Sequence, residues 1–557
     1  MCLIGGPLIR RNDVVTFGTS FLALLRLLNF PDTSLDHHMR HAWSFTLFAL
    51  LTVGLNAEPY VCNMRGPRIR YPWSLLTPAQ QALYLNAVAD AMTQGYHQRF
   101  VEIHTESSSV NEAHGCMFIY WHRKFLLGYE NMLRSLKPDY ACLTIPYWDY
   151  ATLSSQYVAQ SCKNMYQCAT DLINSFGGNV GKTALKSWQP INGNAVAGIS
   201  CVRGFPLNNF CESTSAFDAG TCMHCVPRNN FLFSPVPPEI NIVQVFSQVL
   251  GGSSTTDGKT LAEMSQEVQL GCHNSVHSAL SGAMAHLEAP ADPLFLLHHG
   301  TIDLMHTIYF KCNVADASTT RGHVPVMTDL QKSNVTDERI WTSCARLNGT
   351  TIRPTDPVRM VVGQRGSSYD SNYVLDVASP LYTFFQDLPV PYYQYADADD
   401  LGDFSYNYIY TGMLADMLTQ CKNFIAPKTT AGTSPTAFLK QAADNPSYVD
   451  RCVDRPKLAC EKKQASFLDY MSMKASQLGW TQNKLIAQVE AMVCVHHDEC
   501  LGGVADYSDA FKASFHPKGP PRCKVIVDRL KAKHMFINLP NWRAVLSTYF
   551  PCSGTSL

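Results

Sequence analysis

Charge is scarce in this chain of 557 residues: charged side chains make up 16%, they nearly cancel to a net −1, and neither a basic run nor an acidic tail breaks the balance. A nucleic-acid-binding surface needs a concentrated excess of lysine and arginine, so no nucleic-acid partner is expected, and no polycation either. Long apolar runs are lacking as well. Two candidates lie near the amino end, Val14 to Phe30 and Trp43 to Leu55, and no other stretch approaches the roughly 18 apolar residues of a membrane-spanning helix. The zinc-hydrolase signature HExxH is also missing.

Cysteine and histidine are what the chain has. Met39-Arg40-His41 precedes the apolar run Trp43 to Leu55, which ends at Leu55-Asn56-Ala57 before Glu58, the charged, apolar and small-residue order of a secretory signal. Residues 1–38 then read as an upstream extension or a misplaced start, and the alternative is that the two apolar runs anchor the chain in a membrane. Twenty cysteines behind such a segment predict disulfides, an oxidising compartment and an extracellular location, with no membrane contact after signal removal. Sequons at Asn334-Val335-Thr336 and Asn348-Gly349-Thr350 fit secretion. Cys162, Cys168, Cys201, Cys211, Cys222 and Cys225 crowd a segment of about residues 160–235, predicted as a disulfide-stapled surface lobe. Cys222-Met-His-Cys225 resembles half a zinc site but has no second matching pair. Without Cys2, nineteen cysteines are left, so at least one lacks a partner within the chain.

Ten of the nineteen histidines fall between residues 97 and 122 or between 273 and 306. Neutral imidazole is the commonest protein ligand of copper, zinc and iron, so this clustering points to a metal. His273 and His277 stand at i and i+4, on one face of a helix. A third ligand is expected from the adjacent His298 and His299, of which only one can face the same point. In the first window His122 lies among Phe118, Ile119, Tyr120, Trp121, Phe125, Leu126 and Leu127, so its helix is buried and its imidazole needs a partner.

The runs FVEIH (100–104), AHGCMFIYWHRKFLL (113–127), IPYWDY (145–150), HNSVH (273–277) and DPLFLLHHGTID (292–303) resemble the copper signatures of tyrosinases and their type-3 copper relatives. A weaker likeness extends to LGDFSYNY (401–408). The resemblance implies two copper ions, the first held by His104, His114 and His122 and the second by His273, His277 and His299, with His298 a neighbouring residue. The spacing from His114 to His122 is one residue shorter than is usual in the family, which leaves His97 as the fallback ligand. The resemblance also implies a water held by an asparagine and a glutamate to take the phenolic proton: Asn274 and Glu267, with Glu263 the runner-up. A residue from Met284 to Leu287 is expected over the site, where His286 or Leu287 would restrict entry. Asp303 and Arg123 read as groups fixing helices or ligand orientation, with an ordinary buried ion pair as the alternative. A thioether from Cys116 to His114 is a further expectation from the family.

The expected fold is mainly α: a central antiparallel four-helix bundle holding a dinuclear copper site, with long loops and short strands, followed by a Cys-rich C-terminal domain. Helical periodicity covers Pro78 to Phe100, Phe118 to Leu136, Leu261 to Leu280 and Asp292 to Phe310 and, later, Ala465 to Leu478 and Thr481 to Val495. The expected divisions are an extension and signal-like segment (1–57), a tyrosinase-like catalytic domain (58–410) and a C-terminal domain (411–557) that shields the site. His496-His497 lack a DPxF lead-in and read as surface residues. The expected activity is a secreted oxidase that ortho-hydroxylates monophenols, oxidises o-diphenols to o-quinones, or both, with small phenols and O2 as partners. A dioxygen carrier like haemocyanin and a copper-poor binding protein are the alternatives. Oligomeric state is not legible.

Overall fold

The computed structural model describes residues 68–107, 110–180, 186–251, 258–314, 327–363, 372–428 and 457–552. The expectations for residues 1–57, including the signal and the membrane-anchor alternative, lie outside the described residues. Residues 67–557 form one compact unit, mainly helical.

Helix α1 (Pro78–Thr93) opens with Thr77 and Gln80 in a reciprocal cap and with proline at its first position. The periodicity from Pro78 to Phe100 is interrupted in the structure, because Gly95 takes a left-handed backbone (φ 78°) and turns the chain into α2 (His97–Thr105). Helix α3 (Phe118–Leu136) matches its predicted span and buries fifteen of its nineteen residues. Helix α4 (Tyr150–Val158) follows, capped by Asp149.

Ahead of the second histidine window lie α5 (Ile242–Val249) and α6 (Leu261–Val268), and α7 (Asn274–Leu280) begins within it. The stretch Leu261 to Leu280 is not one helix. A π-helical turn, Gln269–His273, separates α6 from α7, and Gly271 there leaves helical geometry. A Cβ on Gly271 would lie 2.5 Å from the Gln248 side chain, which fills that space and accepts a hydrogen bond from Cys272 N. Helix α8 (Leu294–Tyr309) is buried at every position, so it has no solvent-facing polar stripe.

Strand β1 (Arg68–Arg70) pairs in parallel with β5 (Tyr406–Tyr408), Arg68 opposite Tyr406. Antiparallel strands β2 (Lys186–Ile191), β3 (Asn194–Val202) and β4 (Val226–Arg228) form the insertion. Disulfides Cys162–Cys168, Cys201–Cys225 and Cys211–Cys222 staple it, so Cys222 and Cys225 are not half a zinc site. The lobe is no surface appendage, contrary to expectation: Arg228 is buried, grips Asp292 through two hydrogen bonds and so ties β4 to the start of α8. Gly282 (φ 61°) explains the close fit, since a Cβ there would meet Pro227 O at 2.5 Å. Both sequons occupy exposed turns.

Beyond β5 come α9 (Ala459–Gln477), α10 (Gln482–Cys500), α11 (Asp509–Phe515) and α12 (Arg522–Lys531). Helix α9 is keyed to α4 and the start of α5: Ser155 donates to Gln464 (2.6 Å), and Gln464 donates to Asn241 (2.9 Å). Disulfide Cys494–Cys523 joins α10 to α12, and Cys312–Cys421 ties the end of the second histidine window to the chain after β5. His496 and His497 are not surface residues. They are 3% and 1% exposed, because α10 is an inner helix whose last turn packs His497 against Tyr157 and His496 against Phe550.

Candidate metal centre

The last turn of α2 carries His104, the second turn of α3 carries His122, and the loop between them supplies His114. His104 Nδ1 donates to Leu287 O (2.6 Å) and His122 Nδ1 to Phe118 O (3.0 Å). A carbonyl can only accept, so in each ring the proton sits on Nδ1 and the lone pair on Nε2. The two Nε2 atoms are 3.4 Å apart. The His114 ring lies 4.7 Å from that of His104 and 6.0 Å from that of His122, and neither of its nitrogens has a hydrogen-bond partner.

A second set comes from the π-turn, α7 and α8. His273 Nδ1 is paired with Asn274 Oδ1 (2.8 Å) and His277 Nδ1 with Met284 O (2.6 Å), which leaves both Nε2 atoms without partners. His299 has neither nitrogen satisfied. Its ring stacks on His122 at 4.1 Å and so adjoins both sets. His298 also belongs to the cluster: one nitrogen from each of His273, His277, His298 and His299 lies within 4.8 Å of the others. Its Nδ1 is hydrogen-bonded to the Tyr150 hydroxyl, a partner that no local pattern singles out.

Burial pushes all these imidazoles down, His104 to about 4 and His273 to about 3, and their mutual proximity adds to the effect at His114, His122, His277, His298 and His299. They are neutral at physiological pH, as metal ligands must be. Buried nitrogens without a partner on five of these rings, His114, His273, His277, His298 and His299, would be costly in a dry core, whereas a cation satisfies such atoms. An all-imidazole donor set without a carboxylate fits copper.

His97 falls outside this group. Its Nδ1 meets the Tyr129 hydroxyl (2.7 Å) and its Nε2 donates to Pro290 O (2.9 Å), so no lone pair is left for an ion. Cys116 forms a disulfide with Cys344, which rules out the thioether to His114. Cys272, beside His273, is a buried free thiol.

Asp303 is a joint of the fold. It accepts from Arg123 (2.6 Å), Arg70 (3.2 Å), Tyr406 and Tyr408, and thereby locks α3 and α8 to β1 and β5. Met284 and Leu287 act through their carbonyls, which orient His277 and His104. Glu267 is ion-paired with Lys259 (2.8 Å), and Glu263 caps α6 through Thr260 N (2.8 Å). Gln269 donates to His114 O (2.6 Å) and steadies the loop that carries that ring.

Sequence reasoning expected the C-terminal domain to shield the site but named none of the covering residues. The C-terminal helix α11 sets Phe515 5.2 Å from His114 and 5.9 Å from His277, and Phe511 stacks on Phe515 at 4.6 Å. Ser514 is hydrogen-bonded to His286 (3.0 Å), and the Tyr507 hydroxyl donates to Leu270 O. The available signal was two phenylalanines at i and i+4. A cavity of about 290 Å³ adjoins this cover, lined by Phe515 together with His114 and Asn274.

Residues 94–311 match the family model described as the common central domain of tyrosinase. The chain is 25% identical over 261 residues to the tyrosinase-like protein phomQ1' of Diaporthe leptostromiformis, covering 44% of this chain and 63% of that protein. It is 25% identical over 292 residues to the N-acetyl-6-hydroxytryptophan oxidase ivoB of Emericella nidulans (46% of this chain, 79% of that protein). With the tyrosinase of Streptomyces antibioticus it shares 24% identity over 275 residues (48% and 91%). The match thus spans less than two thirds of phomQ1'.

Proposed function

Because residues 94–311 make this chain a member of the tyrosinase family, we propose that it is a secreted phenol oxidase that ortho-hydroxylates monophenols, oxidises o-diphenols to o-quinones, or both, using O2. The observation that carries this reading is the convergence of neutral imidazoles whose buried nitrogens have no other partner. His104, His114 and His122 would hold one copper ion and His273, His277 and His299 the other. When bound, the copper pair supplies dioxygen activation toward an electron-rich ring. A relative named for the oxidation of N-acetyl-6-hydroxytryptophan supports the hydroxyarene substrate class.

The protein's own part is geometric and electrostatic. Carbonyls of Leu287, Phe118 and Met284 fix three of the tautomers and ring orientations. The apolar shell of Phe118 and Phe295 keeps water from the rings. Asn274, in the lining of the cavity, is assigned to hold the water that receives the phenolic proton. Glu267 can take that proton onward only by parting from Lys259. Phe515 and Phe511 cover the rings, so the full chain is a shielded form.

Disulfides through the fold support secretion, and no described helix is long and apolar enough to cross a membrane. Elemental analysis of purified protein, with oxygen uptake on a monophenol and then an o-diphenol, tests the proposal. Two coppers per chain and turnover are expected. Reversible oxygen binding without turnover would instead make it a carrier, and fewer than two ions would refute both readings.

A further inference from the structure

Resting on the oxidase reading, we infer that the site selects phenols whose ring substituent is uncharged and hydrogen-bonding, such as an alcohol, a carboxamide or an acylated amine, over those bearing an ammonium or a carboxylate. The cavity beside His114 is walled on one side by Ala262, Ser265, Gln266 and Gln269. Their spacing of three, four and seven residues is that of a single helical stripe, continued from α6 into the π-turn. The stripe offers a hydroxyl and two carboxamides, Thr342 adds a second hydroxyl, and none of these carries charge.

The acids of the same helix are turned away from this role. Glu263 and Glu267 lie on the neighbouring stripe, about 100° round, where Glu263 caps the helix and Glu267 is paired with Lys259. Neither an ammonium nor a carboxylate on a substrate would therefore meet a counter-charge from this wall, while each would lose hydration on entry. An uncharged polar group exchanges water for Ser265, Gln266 or Thr342 at little cost. The one formal charge in the lining, Lys518, is on the exposed C-terminal cover, three residues after Phe515.

Full-length copper-loaded protein and its Lys518→Gln variant would be assayed by oxygen uptake on N-acetyldopamine, dopamine and dihydrocaffeate, which share a catechol and differ in tail charge. In Lys518→Gln the neutral compound is expected to exceed each charged one in kcat/KM by about tenfold, the scale of one incompletely compensated charge at a partly open site. Gln266→Glu should raise the dopamine-to-neutral ratio, and Gln266→Lys the dihydrocaffeate-to-neutral ratio, each by up to about fivefold. Equilibrium dialysis of the same three compounds against copper-free full-length protein reads the charge order without turnover. Equal or better handling of either charged compound in both measurements overturns the inference. Absence of turnover in the full-length protein and in its Phe515→Ala variant, together with preferential binding of the neutral compound, supports it and refutes only the oxidase reading.

Discussion

Changing Phe515 to alanine tests the cover directly. Its ring is half-buried, in contact with His114, His277 and Phe511. Half the burial energy of a phenylalanine is about 1 kcal/mol, and the lost ring pairing adds about another. A loss of about 2 kcal/mol from the closed state shifts a closed-to-open equilibrium about thirtyfold. Catechol oxidation by full-length Phe515→Ala should rise by about tenfold to thirtyfold, chiefly in apparent kcat, because more molecules expose their site. Phe536→Ala removes a ring that is 63% exposed and serves as the control. Cutting the chain near residue 410 is the cruder alternative, since it would strip α9 and α10 from α4 and α5 and confound shielding with unfolding. If Phe515→Ala and Phe511→Ala leave turnover unchanged while retaining two coppers, the rings do not gate the site.

Four other outcomes are expected. Asp303→Asn leaves the buried Arg123 guanidinium without its counter-charge, while Arg70 keeps Glu130, and should lower the denaturation free energy of the apoprotein by about 3–5 kcal/mol; an effect below about 1 kcal/mol would contradict the account of the joint. Copper-free protein should lose stability as pH falls from about 6.5 toward 4, because the unfolded chain takes up protons that buried rings such as His104 refuse; that ring alone is worth about 3 kcal/mol, copper should blunt the loss, and a flat urea midpoint across the range would refute it. His97→Gln should keep two coppers by elemental analysis, whereas His299→Gln should lose at least one; retention of both by the second variant breaks the ligand assignment. Peptide mapping under non-reducing conditions should find Cys116 joined to Cys344, and a Cys116–His114 adduct would reverse that correction.

How much of this was legible in the chain follows from the range of each interaction. The i,i+4 pair His273 and His277 and the apolar surroundings of His122 are local patterns, and they declare both a metal and a buried helix. The break at Gly271 was hidden, because what fills the space beside it is Gln248, more than twenty residues away. His496 and His497 were misplaced for a like reason: whether a polar residue on an amphipathic helix meets solvent depends on what packs over it, here Tyr157 and Phe550. Cys116 misled because spacing says nothing about a partner in Cys344, which arrives from more than two hundred residues on.

The sequence by itself determined the kind of site: neutral imidazoles at helical spacing, with no carboxylate among them, are ligands for a metal, and the resemblance of their runs to tyrosinase signatures pointed to copper. Only the tertiary structure decided which nitrogens are free, since that depends on carbonyls of Leu287 and Met284 brought to the rings from another part of the chain. It also decided that Glu267 is tied to Lys259 and that Phe515 lies over the rings. Periodicity fixes which face a residue occupies, but the identity of the atom opposite that face is set by long-range packing alone.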